Sequence, residues 1–288
     1  GGNRYPENDR SGLGYQVAMA LAAAGADVTI ASRDAVRGAE AVRLIGAETG
    51  SATVRFLRFD LTDLSSVRSL ASQLIAEDQP LDLLVNNAGV MGRLTRETSV
   101  DGYERVFATN AIGPFALTAQ LLPLLRQGVD PRIVWVGSGR MSRSLPFEDL
   151  QQEEDYDYGA AYDNSKLAVL MLALETERRN AASGWGVSSV AAHPGVARTN
   201  LIPDGPGFDS MEGRRFRTMG AMFPPAEQGA QSLIFAAASD EVSGGRYYGP
   251  EEIGGPPGLA DIPDRARDET AASRLWAVLE ELGGQRFG

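Results

Sequence analysis

The sequence predicts a Rossmann-type α/β fold, a doubly wound parallel sheet with helices on both faces. Three observations carry this expectation. Strand-like and helix-like segments alternate along most of the chain. The stretch "SGLGYQVAMALAAAGADVTIASR" reads as a glycine turn, a helix and a strand, the unit that grips a dinucleotide. Small and polar clusters stand at the ends of several predicted strands, the edge where such sheets place ligands.

The elements follow in order. "YQVAMALAAAG" is rich in alanine, and Gly25 sits where a helix stop belongs. "ADVTIAS" is a β-branched strand, "DAVRGAEAVRLIGAETG" a helix and "TVRFLRFD" an alternating strand. In "DLSSVRSLASQLIAE", Val67, Leu70 and Leu74 share one helical face. "LDLLVNN" reads as a buried strand, and "GPFALTAQLLPLLRQG" as a helix that Pro123 should kink. "RIVWVGS" is a strand, "AYDNSKLAVLMLALETERRN" a long helix, and "GVSSVAAHPG" a strand ending in a turn. Residues 201–225 are rich in Gly and Pro and lack periodicity. They are expected to form a loop over the carboxyl edge of the sheet, a substrate lid. The last helix, "ETAASRLWAVLEEL", spaces Leu275, Val278 and Leu282 to dock on the body. Residues 1–288 are expected to form one domain.

The first strand of such a fold should precede "SGLG", and "GGNRYPENDR" does not look like one. Two alignments compete. In one, Asn8 takes the place of the first loop glycine and Glu7 that of a threonine. In the other, "GGN" begins the phosphate loop and "RYPENDR" is an insertion, so that the strand would end before residue 1. The second is preferred, because "GGN" joined to "SGLG" makes a coherent loop. It raises one question for function. Glu7 and Asp9 would repel a pyrophosphate if the insertion folded inward, and Arg4 and Arg10 could offset them. The insertion is expected to swing away.

Composition narrows the function. The chain has 288 residues, of which 43% are apolar, enough for a substantial core. It contains no cysteine and a single histidine, His193. A zinc site of the usual kind is therefore not expected, and a Ser-His-Asp hydrolase would have to use His193. The net charge of −11, without a basic stripe, argues against nucleic-acid binding. No apolar run reaches membrane-spanning length, and a cytoplasmic protein is the expectation.

The chemistry-bearing residues lie in order along the chain. Tyr162 and Lys166 are four apart and share a helical face. An ammonium near a phenol favours the phenolate and makes tyrosine a usable acid or base. Ser138 ends the strand "RIVWVGS", and Asn86, Asn87, Ala88 and Gly89 end "LDLLVNN" in a turn. Asn110 interrupts a helical stretch, with Gly113 and Pro114 close behind, and this hints at a local break.

Taken together, "SGLG", "NNAG", the Asn of "ATNAIG", the Ser of "VGSG", "YDNSK" and "HPGVARTN" resemble the short-chain dehydrogenase/reductase family. The long stretch between Ser138 and Tyr162 and the ending "RLWAVLEELGGQRFG" resemble its retinol-dehydrogenase-like and protochlorophyllide-reductase-like branch. The resemblance implies that Tyr162 exchanges a proton with the substrate oxygen, and that Ser138 hydrogen-bonds that oxygen. It implies that Lys166 holds the nicotinamide ribose and that Asn110 anchors a relay water. It places Ser11, Gly12, Leu13 and Gly14 at the pyrophosphate, and Asp60 and Leu61 at the adenine. Asn87, Ala88, Gly89, Tyr162, Lys166, Pro194, Gly195 and Thr199 would line the rest of the cofactor. Ser32 stands where an NAD enzyme would place an acid, and Arg33 follows, suited to a 2′-phosphate. NADP(H) is therefore the expected cofactor, with Asp34 capping the next helix.

The expected function is reduction of a carbonyl or oxidation of an alcohol, by hydride transfer. A dehydratase, isomerase or cyclase on the same fold is the alternative that the altered phosphate loop favours. A sensor or scaffold without catalysis would be marked by lost catalytic residues, and none is lost. Phe208, Phe216, Met219, Met222 and Phe223 suggest a lipophilic substrate, such as a polyketide or terpenoid of secondary metabolism. Many relatives pair through the helices carrying Asn110 and Tyr162, so a homodimer is conceivable on resemblance.

Overall fold

The structure, a computed structural model, describes residues 12–288. Ser11 and the segment 4–10, read as an insertion, lie outside the described residues. From Leu13 the predicted alternation holds. Helix α1 (Leu13–Ala23) leads into strand β1 (Val28–Ser32), helix α2 (Ala35–Thr49), strand β2 (Val54–Arg58), helix α3 (Leu64–Glu77) and strand β3 (Leu83–Asn86). A single turn, α4 (Arg105–Phe107), runs through a π-helical segment, Ala108–Ile112, into helix α5 (Gly113–Leu125). Strand β4 (Arg132–Val136), the long helix α6 (Tyr158–Ser183) and strand β5 (Ser188–Ala192) follow.

Beyond β5 the structure departs from the expected loop. Residues 201–225 contain helix α7 (Leu201–Asp204), helix α8 (Met211–Met219) and a 3-10 turn, Gly220–Met222. Glycine and proline there mark the joints between short helices, not the absence of them. Helices α9 (Ala226–Gly229) and α10 (Gln231–Ala238), then strands β6 (Tyr247–Pro250) and β7 (Pro257–Leu259), precede the last helix, α11 (Glu269–Gly283).

The strands form two ladders. β1 pairs in parallel with β2, and β3-β4-β5-β6 run parallel with β7 antiparallel at the end. Among the described residues β1 and β3 are not hydrogen-bonded to each other, and no described strand lies between them. Strand β3 is half-buried along its length, not buried as its apolar run suggested.

Local chemistry explains the helix starts. Asp34 caps α2 by accepting from the Val36 and Arg37 amides, as expected, and Asp63 caps α3 in the same way. Asp157 caps α6, and Gly184 ends it in the left-handed conformation that glycine allows. Pro123 falls inside the last turn of α5, and the helix still runs to Leu125.

The main core lies between the sheet and α3, α5, α6 and α11. Its densest part is an aromatic cluster in which Trp276 of α11 meets Phe115 of α5 edge-on at 5.0 Å and Phe287 at 4.7 Å. Helix α11 therefore covers α5 and part of α6, the helices through which two copies would be expected to meet. No described helix is long and apolar enough to cross a membrane.

Candidate active site

The carboxyl ends of the strands converge on Tyr162. In the first turns of α6, Tyr162 is buried and Lys166 lies one turn on, deeper still. The Tyr162 hydroxyl shares a hydrogen bond with the Ser138 side chain, which stands just beyond β4. Ser138 is held from behind, since its carbonyl accepts from the Tyr247 hydroxyl at 2.7 Å. The three expected residues Ser138, Tyr162 and Lys166 are thus brought together.

Their electrostatics differ from the simple expectation. Burial pushes the Tyr162 phenol above the ordinary tyrosine range. The Ser138 hydrogen bond pulls it back, Asp163 pushes it further up, and the cation that pulls it down is Arg140, not Lys166. Lys166 Nζ sits 5.7 Å from the ring centroid and donates to the Val136 carbonyl at 2.8 Å. Burial brings Lys166 itself down to about 8. Burial therefore favours the neutral phenol at Tyr162.

Asn110 is buried nearby. Its position in the π-helical segment bears out the predicted break. Its amide is committed, however. Oδ1 accepts from the Val90 amide at 2.8 Å, and Nδ2 donates to the Val90 carbonyl and to Ser165 Oγ. The side chain staples the turn after β3 to α6, and its amide donors are not spare for a relay water. The same turn brings Gly89 so close to Lys166 that an added Cβ would lie 3.2 Å from Nζ.

The expected dinucleotide residues sit along the same edge. Gly12 caps α1 without a side-chain bond, and no described residue would lie within 4 Å of a Cβ added there. A helix N-terminus of this kind suits a phosphate. Gly14 abuts Asn87, where a Cβ would come 2.6 Å from Nδ2. Asn87 Oδ1 is buried with no partner among the described residues, a cost that a polar ligand would remove. Leu13 packs toward α10 and Ala88 is exposed. Ser32 ends β1 and Arg33 projects beyond it, exposed and in no ion pair with a described residue.

Arg58, at the end of β2 beside Ser32, donates to the Arg33 carbonyl and adds a second cation there. This second cation was not legible in the sequence, since strand register decides its place. Asp60 spends Oδ1 on Thr62, and Leu61 is buried against Gly113 with its side chain in the core. Pro194, Gly195 and Thr199 follow β5, with Gly195 in the left-handed region. His193 supports this turn by accepting from the Gly195 amide, and burial lowers it to about 4. It is structural, as expected. The residues present therefore fit a dinucleotide laid from α1 to Lys166.

The apolar wall beside Tyr162 was not fully legible in the sequence. Met91, Val106 and Ala161 are buried with it, and Val90, Tyr156, Tyr158, Leu201 and Ile202 pack against them. The expected substrate contacts Phe208, Phe216 and Phe223 instead face one another, with centroids 6.4 and 5.9 Å apart, and give residues 201–225 a small core of their own. Met222 is exposed to solvent. Leu201 and Ile202 of this segment pack against the Tyr162 cluster.

Comparisons with known proteins agree with this geometry. A family model described as "short chain dehydrogenase" matches residues 9–204. The chain is 40% identical over 285 residues to "Polyprenol dehydrogenase" of Mus musculus, covering 96% of this chain and 82% of that protein. It is 35% identical to "Retinol dehydrogenase 12" of Homo sapiens, covering 96% and 84%. A crystal structure of an uncharacterised protein from Mycobacterium Paratuberculosis superposes with a TM-score of 0.79 at 34% identity, covering 98% of this chain and 92% of that one.

Proposed function

The chain belongs to the short-chain dehydrogenase/reductase family, and from that premise we propose that it is an NADP(H)-dependent reductase of lipophilic carbonyl compounds, acting through Tyr162. The family assignment makes it an oxidoreductase of the alcohol–carbonyl type that uses a nicotinamide dinucleotide. The observation that carries the finer reading is buried Tyr162 beside half-buried Ser138, next to an apolar wall and backed by Lys166.

Each residue has a derived task. When bound, the nicotinamide supplies or accepts the hydride. Ser138 donates to the carbonyl oxygen and holds it beside the phenol. Tyr162, kept protonated by burial, gives its proton to that oxygen as negative charge develops there. Lys166, at the junction of α6 and the turn after β3, orients the ribose, and Arg140 is the cation that favours the phenolate left behind. Asn87, Gly14 and the α1 N-terminus hold the phosphates and nicotinamide end. Arg33 and Arg58 favour a 2′-phosphate over a free hydroxyl.

Met91, Leu201 and Ile202 favour a long apolar substrate. The names of the relatives, for polyprenol and retinol, support a polyprenyl- or retinyl-like alcohol or aldehyde over a polyketide. The test is direct titration with NADPH and NADH, followed by nicotinamide fluorescence, then turnover of retinal or a polyprenal. Tight NADPH binding with weaker NADH binding and aldehyde reduction is expected. Binding of neither nucleotide by folded protein overturns the proposal.

A further inference from the structure

We infer that Arg140 is a positioning residue that ties the helical segment after β5 to the helix carrying Tyr162, and so sets the pocket for the distal part of a long substrate. The inference deepens the proposed reaction and rests on it.

Arg140 stands two residues after Ser138, in the loop beyond β4. Its Nε meets Asp163 Oδ1 at 2.6 Å, on α6 next to Tyr162. Its Nη1 meets Glu212 Oε1 at 3.1 Å, in the first turn of α8. The other oxygen of Glu212 accepts from the Tyr158 hydroxyl at 2.5 Å, at the start of α6. One carboxylate therefore receives donors from two elements of the catalytic body.

An exposed ion pair would contribute little. This one is different in setting, since the Glu212 side chain is only 13% exposed and its charge must be met by partners. It also lies near the positive end of α8, which favours a carboxylate. Gly159 is a third sign of close fit, because an added Cβ there would meet the Arg140 guanidinium at 2.7 Å.

The tied segment is a unit. The chain enters and leaves it side by side, with the Arg198 amide donating to the Pro224 carbonyl at 2.8 Å and a bridge between Arg198 and Pro225. Inside, Phe208, Phe216 and Phe223 pack together. A segment with its own core moves as one body about such a neck, and Arg140–Glu212–Tyr158 fixes its far side. Leu201 and Ile202, near the neck, stay against the Tyr162 cluster. The tie therefore bears on substrate atoms remote from the reacting carbon.

The test uses the full chain with Glu212→Gln, Tyr158→Phe and the double variant. NADPH-dependent reduction is compared for decanal and propanal. The decanal-to-propanal ratio of kcat/KM is expected to fall about tenfold in Glu212→Gln, as for loss of a charge-assisted bond, and through KM for decanal. Tyr158→Phe should lower it less, and the double variant should fall short of the product of the two, because both break one contact. Hydrogen exchange of the amides in 207–222 should speed up about tenfold in Glu212→Gln without any substrate. An unchanged ratio, or a loss carried by kcat equally for both aldehydes, overturns the inference. So does unchanged exchange. If the wild type reduced neither aldehyde, the proposed reaction would fail, while the exchange measurement would still decide the tie.

Discussion

Strand β4 is buried at all five positions and β5 at four of five, whereas β1 is nowhere fully buried and β3 is half-buried throughout. Parallel strands covered on both faces and paired on both edges read like β4. β1 pairs with β2 on one edge, and among the described residues its other edge carries no ladder. In the proposed reaction the two halves carry different tasks. Ser138, Tyr162 and Lys166 stand on the densely packed half, while Gly12, Gly14, Ser32 and Arg33 stand on the looser one. Chemistry that needs fixed geometry sits where packing fixes it. In the proposed reaction a dinucleotide laid from α1 to Lys166 would touch both halves and stabilise what it binds.

The comparison can be broken at the catalytic end first. Tyr162→Phe is expected to lower kcat by about 10³-fold, within the range of lost general acid catalysis, and to leave NADPH affinity nearly unchanged. Fluorescence titration beside steady-state kinetics separates the two. A parallel loss of binding would show that the halves do not divide the work. Trp276→Ala, in the aromatic cluster of α11, should cost about 3–5 kcal/mol in urea unfolding. Ile30→Ala in half-exposed β1 should cost well under half of that, and equal costs would erase the contrast.

Lys166 offers a pH test. Its value of about 8 in the folded chain lies below the ordinary lysine value, so the unfolded chain binds more protons between pH 8 and 10.5. Its burial penalty is therefore fully present below pH 8 and is lost as pH rises toward 10.5. Lys166→Met should stabilise the ligand-free protein at pH 7 by about 2 kcal/mol, after allowing for the lost bond to Val136, while abolishing turnover. That gain should vanish near pH 10.5 in thermal melts. Arg33→Ala, at the other end, should weaken NADPH about tenfold and NADH hardly at all, with kcat unchanged at saturation. An equal loss for both nucleotides would deny Arg33 its part in choosing the phosphate.

Much of this was legible in the sequence, for physical reasons that also mark the limits. Period and composition located α1, α2, α3, α5 and α6, and Asp34 announced the cap of α2, because it acts on amides two or three residues away. The break at Asn110 was visible because asparagine is a poor interior helix residue, although the partners of its amide, Val90 and Ser165, were not. Strands β6 and β7 were missed, being short and built with glycine and proline. The helices within 201–225 were missed because their apolar residues serve a local core instead of a long stripe. Arg140 and Glu212 are 72 residues apart, and nothing in either residue announces the other. The electrostatics of Tyr162 were misjudged for a related reason. Spacing places Lys166 on the right face, but depth decides where Nζ points, and it points to Val136.

The closed neck at Arg198 and Pro224–Pro225 makes residues 199–224 a cassette. Its ends are already joined by backbone hydrogen bonding, and its interior is filled by its own phenylalanines. A graft from a relative that preserved the neck, Leu201, Ile202 and a carboxylate at 212 would change the segment's far side and leave the sheet and the helix carrying Tyr162 as they are. Substrate range in such a scaffold can diversify by exchange of one module, without repacking the enzyme that performs the reaction.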